Sequence, residues 1–472
     1  MSLSQTIAWD IQTGGSSANG GGFNTTAAGT DWSQSATPHT TFNGTTVTAS
    51  NGSASASIVI AGYTVAATDV GNVVNVILGT SFTPGRYEIV SVATGTSTWN
   101  LDRPCTTAAG SGMTGNMGGC LDHLQTALTS AMVADNAAYV KSGTYVLTSA
   151  LTLPAFGGVK YNTRAIGYSS THGDQPQGAT RPVFATSNSA INGLNANQNA
   201  GWRWENLIFD GSGTTKGLIG INMTGASAGD IFNCKITGFA SQGILCTQVA
   251  TIVQTEVTAC AGTAGQGAIE ASINIRVARC WIHDCARTGI FLSSPGAMAA
   301  GNVISNCTGA GSNGITVAYG VILLNNTVYA AAASGINYTD PAAQAYAISQ
   351  GNLIVNCGAY GMNWSASLAW SLVPVFDYNA FYNNTSGSYH FQTASLHDVS
   401  LTGNPFTNAA GNDFTLNATA GAGAAARAMG APGTVGGLSQ SGYSDIGALQ
   451  HQEVVSSGPV ARSMVVQASG SY

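Results

Sequence analysis

The sequence predicts an all-β chain whose larger part is a parallel β-helix, with coils of about 22–28 residues, an N-terminal capping helix and a small N-terminal β domain. Three observations predict it. First, a strand-like pentad recurs from residue 206 onward: Asn206-Leu-Ile-Phe-Asp, Cys234-Lys-Ile-Thr-Gly, Glu256-Val-Thr-Ala-Cys, Cys280-Trp-Ile-His-Asp, Asn302-Val-Ile-Ser-Asn, Asn326-Thr-Val-Tyr-Ala, Asn352-Leu-Ile-Val-Asn and Asn379-Ala-Phe-Tyr-Asn. Second, a glycine falls nine residues after the start in six of these units: Gly243, Gly265, Gly289, Gly311, Gly335 and Gly361. Four of them precede Ile244, Ile290, Ile336 or Met362, the start of another strand. Third, no unit contains a helix-length periodic segment, which excludes helical and leucine-rich repeats.

Residues 1–118 lack helical periodicity and carry strand-like runs at Ser57–Ile60, Gly71–Leu78, Arg86–Ala93 and Ser97–Leu101. The last two are joined by Thr94-Gly95-Thr96, a connection suited to a hairpin. They form the expected small β domain. Leu121, Leu124, Leu128 and Met132 then lie at three- and four-residue spacing, one face of a helix across Leu121–Ala134. Strands follow at Tyr139–Thr144 and Tyr145–Leu153. The expected division is 1–118 for the β domain, 119–455 for the β-helix and 456–472 for a C-terminal tail.

Alternation along a strand assigns the pentad columns to faces. The third column is Ile208, Ile236, Thr258, Ile282, Ile304, Val328, Ile354 and Phe381, an aliphatic stack pointing inward. The first column is mostly Asn and Cys, and stacked Asn amides can hydrogen-bond along the axis. Cys285, Cys307 and Cys357 form a further column, where thiols serve as small buried fillers. The outward columns hold Leu207, Val257, Trp281, Val303 and Leu353, then Phe209, His283, Tyr329, Val355 and Tyr382. That face is unusually apolar, which points to self-association or to cover by another segment of the same chain, the C-terminal one included.

Composition removes several classes of function. Only 7% of the residues are charged, with 14 basic and 20 acidic side chains and a net charge of −6. So few basic residues leave no footprint for nucleic acid. An apolar share of 44% argues against wholesale disorder. No apolar run is long enough to span a membrane, and no secretory signal is visible. Nine scattered cysteines without C-x-x-C spacing suit neither a disulfide framework nor a zinc site. No metal or other cofactor is expected.

Ala138-Tyr-Val-Lys-Ser-Gly-Thr-Tyr after the predicted helix, Arg164-Ala-Ile-Gly-Tyr through Gly173-Asp174 and Arg181-Pro182, and Trp204-Glu-Asn-Leu-Ile-Phe-Asp-Gly resemble the opening coils of the pectate-lyase-like superfamily. Gly411-Asn-Asp-Phe-Thr-Leu and Asp445-Ile-Gly-Ala resemble its closing motifs, although the usual Ser-Pro between them is replaced by Ala420–Ala426. The resemblance implies a right-handed β-helix. Ala18-Asn-Gly-Gly-Gly-Phe, Gly29-Thr-Asp-Trp-Ser and Tyr87-Glu-Ile-Val are similar to a module preceding β-helices in phage and environmental viral proteins. That likeness implies a virion protein of the tail-spike or fibre type, a homo-oligomer, as a trimer, on the virion surface.

Catalytic signals are sparse. A glycosidase needs two carboxyl groups roughly 5–10 Å apart. Asp210 and Asp284 lie three coils apart, and Glu256 is out of register with Asp284, each pair about 14 Å apart by strand spacing and rise. The remaining charged cluster is Arg276, Arg279, His283, Asp284 and Arg287. It either holds an acidic sugar, with His283 as base, or is a solvated turn with an Arg–Asp pair. Trp281, Tyr329 and Tyr382 suit glycan stacking or an interface. Two readings follow: a virion attachment protein with other virion proteins and a host-surface polysaccharide as partners, or a polysaccharide lyase or glycoside hydrolase on the same fold.

Overall fold

The computed structural model describes residues 3–44, 47–49, 54–130, 132–153, 163–196, 201–224, 229–262, 266–339, 347–365, 375–431 and 444–451. The protein is mostly β, with a β-solenoid of about nine turns and a small six-stranded barrel near the N-terminus. Gly265 and the predicted tail lie outside the described residues. The chain divides into two compact units: Met1–Ala185 with Gln198–Ile208, and Thr186–Asn197 with Phe209–Tyr472.

In the first unit, Val47–Ala49, Ser57–Ile60, Thr98–Leu101, Gly85–Ala93, Val73–Phe82 and Thr106–Met117 pair in that order into a closed antiparallel ring. The predicted hairpin is present, with Ala93 opposite Thr98. Trp99, Met113 and Met117 fill the interior, and the buried Trp99 indole donates to Asp69 Oδ2 at 3.0 Å. The strand Ile7–Ile11 does not join this ring. It pairs in parallel with Ala137–Lys141, followed in the same sheet by Thr163–Tyr168 and Trp202–Glu205. The helix covers Leu124–Ser130, shorter than expected. It starts where the Gln125 N–H donates to His123 Nδ1, and Leu121 is instead bridged to Ile11. Leu121, Leu124, Leu128 and Met132 are all buried, but only Leu124 and Leu128 lie on the helix.

In the second unit each coil gives one short strand to each of three parallel sheets. Arg276–Ala278, Trp281–His283 and Thr288–Leu292 make one coil, and Met298–Ala300 begins the next. Ile236, Val257, Ile282, Ile304, Val328, Ile354 and Phe381 stack inward through the second sheet. Two pentads therefore sit one residue out of the predicted register. Val257, not Thr258, stands opposite Ile282. Phe209, not Ile208, is the fully buried residue of its coil, since the Gly211 N–H donates to the Thr237 carbonyl. Leu207, Phe209 and Val257, expected outward, are buried. A one-residue slip exchanges faces, and aliphatic residues on both sides of the strand hid it.

The Asn column forms the expected ladder. Asn326 Oδ1 accepts from Asn302 N and Nδ2 at 3.1 and 2.9 Å, and Asn352 Oδ1 repeats the pattern for Asn326 at 3.1 and 3.0 Å. Asn379 Oδ1 continues it, and Asp398 ends it by accepting from the Asn379 N–H at 2.7 Å. Each amide also donates to a carbonyl, such as Ala299 from Asn326 at 2.9 Å. The buried polar column is thereby satisfied. All nine cysteines are free and buried, and Cys260 joins Cys285, Cys307 and Cys357 in their column.

The glycines have a steric reason. A Cβ on Gly289, Gly314 or Gly335 would come within 2.4, 2.3 or 2.2 Å of a methyl of Ile304, Val328 or Ile354. The backbone at the entry to each third-sheet strand thus packs directly on the aliphatic stack. Gly314 holds the place expected for Gly311, which lies in open space at a turn.

Candidate functional site

Two corners of each coil turn through the left-handed region, which Asn, Asp and Gly enter most readily. Arg279 (φ 54°) aligns with Asn325 (φ 52°) at one corner, and Asp284 (φ 52°) with Asn306 (φ 54°) at the other. Arg279 and Asp284 therefore occupy backbone-turn positions, both with exposed side chains. Arg276 is exposed on the first sheet. Arg287 is fully buried, donating to the Gly267 carbonyl at 3.1 Å and filling space beside Gly262 that a Cβ would occupy. Burial lowers the Arg287 pKa. Of the five charged residues of the predicted cluster, His283 and Asp284 contact each other directly.

Their actual partners come from the neighbouring coils. His283 Nδ1 lies 2.7 Å from Asp284 Oδ2 and 3.3 Å from Thr258 Oγ1. His283 Nε2 lies 3.2 Å from Glu256 Oε1, which also accepts from Lys235 Nζ at 2.7 Å. Asp284 Oδ1 accepts from Asn306 Nδ2 at 3.0 Å. One imidazole thus joins Glu256 to Asp284, which overturns the 14 Å separation estimated from their registers. The register slip sets Glu256 too far from Asp284 and hides its pairing with Lys235. In the true register Lys235 is opposite Glu256, which would have marked an ion pair between coils.

Burial pushes the Glu256 carboxyl up, but hydrogen bonds and charge from His283 and Lys235 outweigh it and hold it below the ordinary value. Burial likewise raises Asp284, and hydrogen bonds from His283 and Asn306 more than reverse the effect. Both groups are therefore ionised at neutral pH. The Trp281 indole stacks on His283 at 3.8 Å and 20°. Chemically the arrangement is a closed ion network: each carboxylate is already bonded to the ring between them, with no gap there for a sugar and a water. Among the described residues no group of three or more His, Cys, Asp and Glu is placed to hold a metal ion.

The rest of this outer face is covered by the chain itself. Val303, Leu353, Val355 and Ala380 form one buried cluster with Leu401, Phe406, Phe414, Leu416, Ala426 and Ile446. Tyr329 packs edge-on to Phe406 at 5.8 Å and near Phe414 at 5.5 Å, and Trp281 and Tyr382 also pack against the cluster. The closing motif is pinned by the Gly447 N–H to the Gly351 carbonyl at 2.7 Å and the Ala448 N–H to Thr327 Oγ1 at 2.9 Å. Of the two explanations for the apolar face, cover by the C-terminal segment is the one realised. Tyr329 and Tyr382 are packing residues there, not an open stacking platform.

Residues 219–371 match the family described as "Right handed beta helix region". That stretch is a right-handed parallel β-helix. Among solved structures, pectate lyase Pel9A is similar at 13% identity with a TM-score of 0.48, over 71% of this chain and 92% of that one. Geobacillus virus E2 ORF18 is similar at 13% identity with a TM-score of 0.37, over 56% of this chain and 53% of that one. The periplasmic alginate epimerase AlgG is similar at 14% identity with a TM-score of 0.29, over 57% and 80%. No curated protein matches in sequence.

Proposed function

We propose that this chain is a virion surface component, a tail spike, fibre or capsid appendage, whose β-helix attaches to host-surface glycans without cleaving them. The observation that carries this reading is the closed network at His283. Glu256 and Asp284 are tied to one imidazole rather than facing each other across a cleft. The likeness of the N-terminal segments to viral modules supports the virion assignment. A homotrimer belongs to the same proposal, with an interface away from the face that the C-terminal segment covers.

The second reading, a polysaccharide lyase or hydrolase, is favoured by the closeness of Glu256, His283 and Asp284 and by the half-buried Trp281 beside them. One experiment separates the two. The purified chain is incubated with bacterial capsular and lipopolysaccharide glycans, and both bound glycan and new reducing or unsaturated ends are measured. Binding without new ends supports attachment. New ends that disappear in Glu256→Gln would establish the enzyme reading instead, and absence of binding to every glycan would overturn attachment.

A further inference from the structure

We propose a binding surface on the outer face of the strands Ala137–Lys141, Thr163–Tyr168 and Trp202–Glu205 that takes an oxyanion, a carboxylate, sulfate or phosphate group carried by a host-surface polysaccharide. The inference rests on the glycan-attachment reading and gives it a location and a ligand charge. Ala138, Val140, Ala165, Trp202 and Trp204 point inward and are buried. Alternation therefore puts Tyr139, Lys141, Arg164, Arg203 and Glu205 outward.

The register sets Arg164 directly beside Arg203 in the next coil, about 5 Å away along the axis. Like charges placed opposite each other on paired strands are destabilising. In a chain with only 14 basic residues and a net charge of −6, that placement calls for a counterpart. Glu205 holds Arg203 through Nε at 2.8 Å. Arg164 is exposed; its backbone N–H donates to the Asn136 carbonyl at 3.2 Å, and its guanidinium has no hydrogen bond or ion pair among the described residues. The Lys141 ammonium contacts Gln12 Oε1 at 3.5 Å, a weak hold.

The adjoining imidazole is fixed in place. His172 Nε2 lies 2.8 Å from Asp10 Oδ1, and its ring stacks on Tyr139 at 4.0 Å and 9°. The fully buried Asp10 carboxylate also accepts from Tyr168 Oη at 3.2 Å and Ser33 Oγ at 2.8 Å, so its charge is spent internally. Nδ1 is the remaining polar atom of a ring that is 24% exposed. Lys141 and Arg164 flank the Tyr139–His172 stack from two neighbouring strands. Adjacent guanidinium groups present paired N–H donors, which suit the two oxygens of a carboxylate, sulfate or phosphate.

The test uses the full chain and fluorescently labelled heparin fragments and oligogalacturonates, with labelled dextran as the neutral probe, read by anisotropy at low salt. Heparin, oligogalacturonate or both should bind while dextran does not, and the preferred probe identifies a sulfate or a carboxylate as the ligand group. Arg164→Gln should weaken binding about tenfold or more, and added salt should weaken it further. Arg276→Gln removes the same charge from an exposed position elsewhere and should leave binding unchanged. Equal losses in both variants would mean diffuse attraction and overturn the site. Binding of neutral host glycans unaffected by Arg164→Gln, with neither anionic probe bound, would sink this site and leave attachment standing. Binding of no glycan at all would sink both.

Discussion

Asn326→Ala tests whether the ladder holds neighbouring coils together. Asn326 is fully buried and its side chain takes part in four hydrogen bonds: it accepts from Asn302 N and Nδ2, and donates to the Ala299 carbonyl and Asn352 Oδ1. Alanine strands the Asn302 N–H and one amide hydrogen and removes a donor from Ala299. The Asn352 Oδ1 keeps the Asn326 backbone N–H as donor. Leaving a buried polar group unpaired costs about 1–3 kcal/mol, so partial relaxation over the stranded groups gives a loss of roughly 3–5 kcal/mol. Asn383→Ala is the matched comparison. Asn383 Nδ2 donates to Asn356 Oδ1 at 2.9 Å, but at an exposed left-handed corner (φ 50°), where water replaces the partner and the loss, chiefly the poorer fit of alanine to that backbone, should stay at about 1 kcal/mol. Urea unfolding followed by circular dichroism gives both values, with hydrogen exchange at the Asn302 amide as a local readout. A loss below about 1 kcal/mol for Asn326→Ala, or equal losses in the two variants, would refute the ladder as a source of stability.

Gly335→Ala drives a Cβ to 2.2 Å from the Ile354 methyl and should cost about 1–3 kcal/mol by overpacking, measured in the same unfolding assay; stability equal to the parent would discount the steric reading of that column. All nine thiols should resist iodoacetamide in the native state and react after unfolding, because every one is buried and burial raises Cys307 and Cys357 to about 12. Rapid native labelling of either residue would contradict this. The lowered Glu256 pKa means that its contribution to stability is present above the unfolded carboxyl value of about 4.3 and is lost as pH falls through the lower folded value. Glu256→Gln should therefore flatten the acid limb of a stability–pH profile, and an unchanged limb would show the network to be energetically idle. Ile446→Asp places a charge in the covered apolar cluster and should cost more than about 3 kcal/mol, whereas Leu396→Asp at a position 87% exposed should cost almost nothing.

The β-helix was legible because its coils must stack identical positions, so period, Asn ladder and aliphatic column all surface as recurring letters. Register was less legible where both faces of a strand are apolar. Glu256-Val-Thr offers two β-branched residues and Leu207-Ile-Phe two large apolar ones, and only the pairing of Val257 with Ile282 and the burial of Phe209 decide between the alignments. The site suffered for the same reason, since one slip separated Glu256 from His283. Arg279 and Asp284 looked functional because charges are rare in this chain, whereas the αL turns they occupy leave no composition signal of that kind. The partner of the apolar face lies about a hundred residues further along, beyond the reach of any local pattern.

That distance has a consequence for biosynthesis. Val303 leaves the ribosome well before Ile446, which later covers the same cluster. At about 5–20 residues per second, the interval is on the order of 7–30 s. Until the covering residues from Leu401 onward emerge, the nascent coils present an apolar stripe and an open sheet edge, both templates for aggregation. Premature termination before Leu401 would make that exposure permanent. Yield in a heterologous host should therefore respond to translation speed and chaperone supply more than to changes in the stacked core.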